Sequence, residues 1–315
     1  MKGRAIYILA NDVVHEWLVA LLSSVRRHLP DAKIRVIPFD DQTDRLVELK
    51  SRFGFEFFVH ESFDWLVELG RKLEIGRTPL GPNWFRRFAA FFGSAETFLY
   101  LDARTLVLSD IAAAFDAVES GVVDFIHLGG DPNQSFETGP VRRQLAASGR
   151  CFGFNSGLWI SQRGLFSKEQ MLDAVEFCSA NREQMNPRNT DQFFLNTLCA
   201  RSTARVVNLA DLDGGFERDP WAFAHPRVFR KGGEVRVWAH GGVSHSKRLP
   251  LVHWAGIKLS PAMPLRRLWT EYRFEEDRPL LVKLEPLTAL PARAIQSARR
   301  ALSIRRFVSP RNAGL

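Results

Sequence analysis

The sequence predicts an α/β protein with a mixed, mainly parallel sheet flanked by helices, followed by a basic C-terminal extension. Strand-like apolar runs occur at 5–10, 33–39 and 55–60, and segments with helical periodicity separate them. This alternation is typical of a parallel sheet with helices on its faces. The chain has 315 residues, of which 45% are hydrophobic, so it can bury a large core.

The N-terminal strand–helix unit sets the pattern for the rest of the chain. Ala5–Ala10 is the first predicted strand, and Asn11 or Asp12 can cap the helix that follows. Apolar residues then recur at helical spacing over 14–29, and Asp40–Asp41 opens the next predicted helix. The sequence therefore begins with a repeated strand–helix unit.

The alternation continues to about residue 260. Further strands are predicted at 98–102, 123–128, 154–161, 205–209, 234–239 and 250–254, and further helices at 84–92, from 111, at 168–181 and from 191. Thr190 can cap the last of these helices. We expect one α/β domain over 1–260 and an extension over 261–315.

The positive charge is concentrated in the extension. The net charge is +8, and the chain has no acidic residue beyond Glu285 but carries Arg293, Arg299, Arg300, Arg305, Arg306 and Arg311 there. The domain itself is close to neutral, which argues against a nucleic-acid partner. Two interpretations of the extension stay open: a solvated tail that is partly helical or disordered, or electrostatic attachment to an anionic membrane leaflet.

The location of the protein is predicted from features that the sequence lacks. No apolar run reaches the ~18 residues that a membrane span needs, and no signal peptide precedes the first strand. The three cysteines are far apart and fit neither a zinc site nor a disulfide framework. We therefore expect a cytoplasmic protein with reduced thiols.

One predicted strand ends in a carboxylate. Asp102 follows the apolar run Phe98–Leu101, and ligands of open α/β sheets sit at the carboxyl ends of strands. Arg104 lies two residues further on and would share a face with Asp102 if the strand stays extended. A guanidinium group matches phosphate geometry, so the pair points to an anionic ligand.

Four short segments occur in a specific order along the chain. They are Tyr100–Val107 (YLDARTLV), Gly153–Leu158 (GFNSGL), Thr190–Asn196 (TDQFFLN) and His253–Lys258 (HWAGIK). Together with the N-terminal unit, they resemble the nucleotide-diphospho-sugar transferase fold called GT-A. The resemblance is greatest to glycosyltransferase family 8, the glycogenin and galactinol synthase type, with its bacterial relatives, and it spans 5–258. Each segment alone has an ordinary structural explanation, such as a turn, a helix cap or a core histidine.

The resemblance implies a set of donor-binding residues. Ala10, Asn11 and Asp12 would meet the uracil base, Arg86 or its neighbour Arg87 would touch the donor, and Ser156 and Gly157 would face the sugar. Gly256 would let the backbone approach the diphosphate, and Lys258 would contact phosphate. Asn155 would also face the sugar, and Asp191 and Gln192 would lie beside its anomeric carbon.

The resemblance also implies a metal site, and Arg104 departs from it. In the family, an Asp-x-Asp motif and a histidine, here Asp102 and His253, hold a manganese ion. Arg104 replaces the second aspartate, and an arginine about 4 Å from a divalent ion would cost about 8 kcal/mol. Two interpretations stay open. Arg104, with Lys258 and Arg86, substitutes for Mn²⁺ or Mg²⁺, or Arg104 turns away and a weakly held ion remains.

The function implied by the resemblance is hexose transfer from a nucleotide sugar, most simply a UDP-sugar, to a carbohydrate or lipid-linked acceptor. Retention at the anomeric carbon would proceed by front-face attack assisted by the leaving phosphate, with Asp191, Gln192 or Asn155 stabilising the positive sugar ring. Two alternatives stay open: a nucleotide-sugar-binding protein without turnover, and a membrane-surface scaffold attached by its arginine tail.

Overall fold

The structure of the protein, a computed structural model, describes residues 3–76, 78–225, 227–238 and 246–275. Residues 1–273 form one compact unit, and only Phe274 and Glu275 of a second unit, 274–315, are described. The arginine tail and its predicted helix therefore lie outside the described residues, and the domain boundary at 260 stays a prediction. Within the described ranges, no helix is long and apolar enough to cross a membrane.

The described residues form twelve strands, which belong to three sheets. They are β1 (Arg4–Ala10), β2 (Ile34–Pro38), β3 (Phe55–Phe57), β4 (Thr97–Asp102), β5 (Thr105–Val107), β6 (Phe125–Gly129), β7 (Phe154–Gln162), β8 (Val206–Asn208), β9 (Val228–Lys231), β10 (Glu234–Val237), β11 (Lys247–Arg248) and β12 (Leu251–His253). The central sheet has seven strands in the order β3-β2-β1-β4-β7-β6-β8. Only β7 runs antiparallel to its neighbours in it, so the predicted mixed, mainly parallel sheet is confirmed.

Helices flank this sheet. They are α1 (His15–His28), α2 (Asp44–Phe53), α3 (Phe63–Lys72), α4 (Ala112–Glu119), α5 (Pro140–Ala147), α6 (Lys168–Ala180), α7 (Gln192–Arg201), α8 (Leu209–Leu212) and α9 (Arg266–Arg273). The segment predicted as a helix from residue 84 is a longer 3₁₀ helix, Gly81–Phe92. The predicted flanking of the sheet by helices is thus also confirmed.

The alternation of side chains along β1 produces a core on each face of the sheet. Ala5, Tyr7 and Leu9 pack into one apolar cluster, and the intervening residues pack into the other, as the two-residue period of a strand requires. Helix α1 covers the second cluster with Leu18 and Leu22. A sheet buried on both faces leaves ligand access at the strand ends, where the polar residues lie.

Three helix starts differ from the sequence prediction. Neither Asn11 nor Asp12 caps α1; instead Asp12 Oδ1 accepts hydrogen bonds from the backbone N–H groups of Arg45 (3.1 Å) and Leu46 (3.3 Å) in α2. Helix α2 begins at Asp44, after the predicted Asp40–Asp41 start. The residue before α7 is Asp191, not the predicted cap Thr190. Asp12 serves α2 instead of α1, and the Thr190 hydroxyl donates to the carboxylate of its neighbour Asp191.

A two-stranded pairing positions the site. The chain turns after Asp102, and β5 then runs antiparallel to β12, with Thr105 opposite His253. The backbone N–H of Trp254 donates to the carbonyl of Arg104 at 2.9 Å. Two segments far apart in sequence are therefore held side by side at the end of β4.

Candidate functional site

The carboxyl ends of β1 and β4 form the floor of the site. The two strands are parallel neighbours, with Leu9 paired with Asp102. Ala10 ends β1, and the Nδ2 group of Asn11 donates to Asp40 Oδ2 at 2.8 Å. The residues predicted to meet the base thus lie at the same sheet edge as Asp102, although Asp12 directs one carboxylate oxygen to α2.

Arg104 does not share a strand face with Asp102. Strand β4 ends at Asp102, and Oδ1 of Asp102 accepts the backbone N–H of Arg104 at 2.9 Å, which closes a tight turn. The predicted alignment of Asp102 and Arg104 required the strand to stay extended, and the strand ends at Asp102 instead. The Arg104 side chain is partly buried and has no hydrogen bond or ion pair with the residues that the structure describes.

His253 lies beside Asp102 at the end of β12. Its Nε2 is 3.6 Å from Asp102 Oδ1, and its Nδ1 is 2.9 Å from Asn155 Nδ2. Burial acts to raise the pKa of Asp102. The neighbouring His253 imidazole and the Arg87 charge together lower it by more than burial raises it, so this pKa lies well below its ordinary value. Asp102 is therefore a fixed negative charge within the site.

Gly157 lies at the centre of this group. A Cβ atom on Gly157 would stand 2.7 Å from His253 Cε1, 2.9 Å from Asn155 Oδ1 and 3.0 Å from Asp102 Cβ. The backbone N–H of Gly157 donates to Asn155 Oδ1 at 2.6 Å. The structure thus brings together Asp102, Asn155, Gly157 and His253, which the sequence analysis selected from three separate segments.

A buried ion pair supports the site from behind. Arg87 Nε is 3.2 Å from Asp191 Oδ2, and Arg87 Nη1 donates to the backbone carbonyl of Ser156 at 3.2 Å. Oδ1 of Asp191 accepts from the hydroxyl groups of Ser156 (3.2 Å) and Thr190 (2.9 Å). Burial acts to lower the pKa of Arg87, but Asp191, Tyr100 and Asp102 together outweigh it and the pKa is raised, so the guanidinium stays charged.

The arginine next to the ion pair points elsewhere. Arg86 Nη1 donates to the carbonyl of Pro38 at 3.0 Å, and its guanidinium lies 5.2 Å from the centre of the Phe63 ring. Pro38 ends β2, so Arg86 remains near the carboxyl edge of the sheet. The donor contact predicted for Arg86 stays a prediction, and Arg87 is the arginine that joins the Asp191 and Ser156 cluster.

Three further predicted residues surround this cluster. Gln192 is buried at the start of α7, and its Nε2 donates to Gln134 Oε1 at 3.3 Å. Gly256 has φ +69° in the turn after β12, where a glycine is favoured. Lys258 is exposed just beyond it. The turn carrying Gly256 and Lys258 follows His253 directly, so it borders the site.

Sequence reasoning missed Trp221. Its ring stacks on the His253 ring with centroids 5.5 Å apart and an interplanar angle of 16°, and the residue before it accepts the backbone N–H of His253 at 2.7 Å. Only the long-range pairing of this segment with β12 reveals the contact, so no local pattern could have indicated it. Trp221 fixes the plane of the imidazole.

The residues of the site do not fit a divalent metal ion. Within the described ranges, no group of three or more histidine, cysteine, aspartate or glutamate residues is arranged to hold one. Asp102 and His253 form a pair, and the charge of Arg87 acts on Asp102. A buried cation next to a two-ligand set disfavours a second positive charge.

Comparisons with known proteins test the fold. No family model matches the chain, and no curated protein matches it. An active-site mutant of LgtC superposes with a TM-score of 0.56 at 15% identity, over 86% of this chain and 95% of that chain. The galactosyltransferase LgtC in complex with donor and acceptor sugar analogues gives 0.54 at 16% identity, over 92% and 98%.

A eukaryotic structure gives the same result. Mouse xyloside xylosyltransferase 1, in its apo form, superposes with a TM-score of 0.52 at 12% identity, over 82% of this chain and 99% of that chain. The chain has the GT-A glycosyltransferase fold. Three of the four segments selected from the sequence meet around Asp102, Gly157 and His253 at the carboxyl end of β4. The fourth, Thr190–Asn196, contacts this group through the hydrogen bond between Ser156 and Asp191. Membership of glycosyltransferase family 8 stays a prediction.

Proposed function

We propose that this protein transfers a hexose from a UDP-sugar to a carbohydrate or lipid-linked acceptor. The observation that supports this most is the convergence of Asp102, Asn155, Gly157 and His253 at the ligand edge of a GT-A sheet. Function resides in such a site rather than in the fold. The base would lie against the end of β1, at Ala10–Asp12.

We propose that fixed protein cations offset the donor diphosphate. Arg104 has no ionic partner within the described ranges. Its backbone lies in the turn after β4, where its N–H donates to Asp102 Oδ1. Lys258 is exposed on the neighbouring turn, and Arg86 lies near the end of β2. A diphosphate leaving group needs positive charge where negative charge develops, and guanidinium supplies it at any pH.

We propose retention at the anomeric carbon, by front-face attack assisted by the leaving phosphate. Asn155 would face the sugar; its position beside Gly157 and His253 supports this assignment. Asp191 is fully buried and reaches the site through Arg87 and Ser156, and Gln192 is also buried. Direct contact of either residue with the sugar ring would require a change in their present packing. No covalent nucleophile is assigned.

The test is ligand binding by the full chain. A thermal-shift and calorimetric panel of UDP and UDP-sugars, run with Mn²⁺ and with EDTA, is expected to show stabilisation by UDP in both conditions. Arg104→Ala should weaken UDP binding about 10- to 100-fold, because a charge-assisted hydrogen bond is lost. Arg163→Ala is the matched control, since exposed Arg163 follows β7 at the opposite sheet edge.

Two results would contradict the proposal. If no nucleotide stabilises the protein, the donor site is wrong. If turnover disappears with chelator and returns with Mn²⁺, the protein cations do not replace the metal.

A second candidate function is nucleotide-sugar binding without turnover. The full burial of Asp191 and the presence of Arg104 favour it, because both depart from what the resemblance implies for a catalyst. Release of UDP from a UDP-sugar without acceptor distinguishes the two. Slow release supports the transferase, and stabilisation without release supports the binding protein.

A further inference from the structure

We propose that His253 binds the donor as a hydrogen-bond donor, with its Nε2–H directed at a phosphate oxygen. This inference rests on the proposed function, because it concerns how the same site holds a sugar nucleotide. It assigns His253 a role opposite in polarity to that of a metal ligand, which offers a lone pair.

The orientation of the Asn155 amide is the first step. The atom of Asn155 that lies 2.6 Å from the backbone N–H of Gly157 accepts a hydrogen bond. Only the amide oxygen can accept, so the NH₂ group must be the atom 2.9 Å from His253 Nδ1. The hydrogen bond from Gly157 therefore determines the orientation of the Asn155 amide.

The position of the imidazole proton is the second step. An NH₂ group donates only, so His253 Nδ1 must present its lone pair to Asn155. The single proton of the neutral ring is then on Nε2. A proton on Nδ1 would face the protons of the amide, so this arrangement disfavours the other tautomer of the neutral ring.

The surroundings of Nε2 are the third step. His253 is 4% exposed, and its buried Nε2 has no hydrogen-bond partner within the described ranges. The distance of 3.6 Å to Asp102 Oδ1 is longer than a hydrogen bond. Trp221 prevents the ring from tilting. A buried N–H without an acceptor is costly, so this group is poised for an acceptor that arrives with the ligand.

The chemistry of that acceptor follows from the place of Nε2. It lies where Asp102 ends β4, the edge at which the diphosphate is proposed to bind. A phosphate oxygen accepts hydrogen bonds strongly, and an uncharged donor there adds no charge beside Arg104. In a metal-binding histidine, the ring nitrogen that does not bind the metal usually donates a hydrogen bond to a carboxylate or carbonyl. In His253 the corresponding nitrogen, Nδ1, accepts a hydrogen bond from Asn155 instead.

The first test reads the tautomer directly. Long-range ¹H–¹⁵N NMR of the full chain, with His253→Gln used to assign the resonances, identifies which ring nitrogen carries the proton. We expect the proton on Nε2 in the ligand-free protein. A proton on Nδ1, or on both nitrogens at neutral pH, would overturn the inference.

The second test reverses the polarity. In Asn155→Asp, one carboxylate oxygen still accepts from the backbone N–H of Gly157, and the other accepts a hydrogen bond from His253 Nδ1–H. The ring proton then stays on Nδ1, and the lone pair is on Nε2. Combined with Arg104→Asp, this should create Mn²⁺ binding, measured by electron paramagnetic resonance, at least 10-fold tighter than in wild type or in Arg104→Asp alone. Adding His253→Gln keeps the added charges and should remove that gain; persistence of the gain would contradict the inference.

The third test concerns the donor. His253→Ala should weaken UDP binding about 10-fold in EDTA, and His253→Gln should restore most of it, because a glutamine amide can donate a hydrogen bond but binds metal poorly. Equal loss in both variants would refute the phosphate contact. If wild type shows the Nε2 proton but binds no UDP, the proposed function fails and the tautomer assignment stands.

Discussion

The Nε atom of Arg87 lies 3.2 Å from Asp191 Oδ2, and the two side chains are 2% and 0% exposed. The pair joins the 3₁₀ helix Gly81–Phe92 to the start of α7 and also holds the backbone of Ser156. The Arg87 guanidinium further lies 5.1 Å from the centre of the Tyr100 ring. Two buried charges therefore set the position of the strand that carries Asn155 and Gly157.

Removing one partner of this pair should be strongly destabilising. Arg87→Met leaves Asp191 buried and unpaired, and we expect the free energy of unfolding to fall by about 3–5 kcal/mol. Urea denaturation measures it. The double variant Arg87→Met/Asp191→Leu should recover part of this loss, because neither charge then remains uncompensated.

An exposed ion pair provides the matched control. Arg71 and Glu68 are 62% and 55% exposed and 3.1 Å apart on α3. Arg71→Met should change the stability by less than about 1 kcal/mol. Similar losses for Arg87→Met and Arg71→Met would show that burial of the Arg87–Asp191 pair has no energetic consequence.

Gly157→Ala should disturb the site through packing alone. The added methyl would overlap His253 Cε1 at 2.7 Å, and backbone holds Gly157 in the middle of β7. We expect a loss of about 1–3 kcal/mol in stability and a loss of UDP binding measured by calorimetry. Gly130→Ala is the control, since a Cβ there meets no atom within 4 Å and φ is not positive.

The two alanine variants separate packing from glycine removal. If Gly130→Ala weakens UDP binding as much as Gly157→Ala does, the effect does not come from the Asp102, Asn155 and His253 contacts. If Gly157→Ala is neutral, these side chains can move apart without consequence, and the geometry of the site is not needed for binding.

Much of the fold was predictable because its signals are local. Strand β4 and its terminal Asp102 follow from an apolar run that ends in a carboxylate, and β7 from a similar run. The capping of α2 by Asp12 was not predictable, since the hydrogen bonds cross from one strand–helix unit to the next. Local patterns predict whether a segment is a strand or a helix, whereas tertiary contacts determine which polar side chain caps which helix.

The limits for the site have the same origin. Arg86 and Arg87 are adjacent on one helical segment, and the spacing alone cannot tell which of them turns inward towards Asp191. The pairing of β5 with β12 brings His253 to Asp102, and no local pattern encodes that pairing. The tautomer of His253 depends on Asn155 and Gly157 together, so it required coordinates.

Asp12 allows a test that separates helix capping from ligand contact. Asp12→Ala removes the acceptor for two backbone N–H groups of α2 and should cost about 0.5–2 kcal/mol, measured by urea denaturation. Asp12→Asn keeps an acceptor oxygen and should restore most of the stability. If Asp12 also meets the base, Asp12→Asn should still bind UDP more weakly than wild type; unchanged binding would remove Asp12 from the donor site.

His127 should make the protein sensitive to mild acid. The residue lies on β6, is 8% exposed and stacks on Phe154 with ring centroids 4.4 Å apart. Burial lowers the pKa of His127 to about 3, and the charge of Arg218 acts in the same direction. The folded protein therefore keeps this ring neutral in mildly acidic solution, whereas the unfolded chain protonates it near its ordinary value of 6.5.

The sign of the effect follows from proton binding. Between pH 6.5 and about 3 the unfolded state binds more protons at His127, so the free energy of unfolding falls as the pH falls, by up to about 1.4 kcal/mol per pH unit. His127→Phe keeps the ring stacking and removes the titration. Urea denaturation of both proteins from about pH 8 to 4.5 should give curves that diverge below about pH 6.5, with wild type losing more. Carboxylates and the other histidines titrate in both proteins and cancel in the difference, so parallel curves would show that His127 is protonated in the folded state.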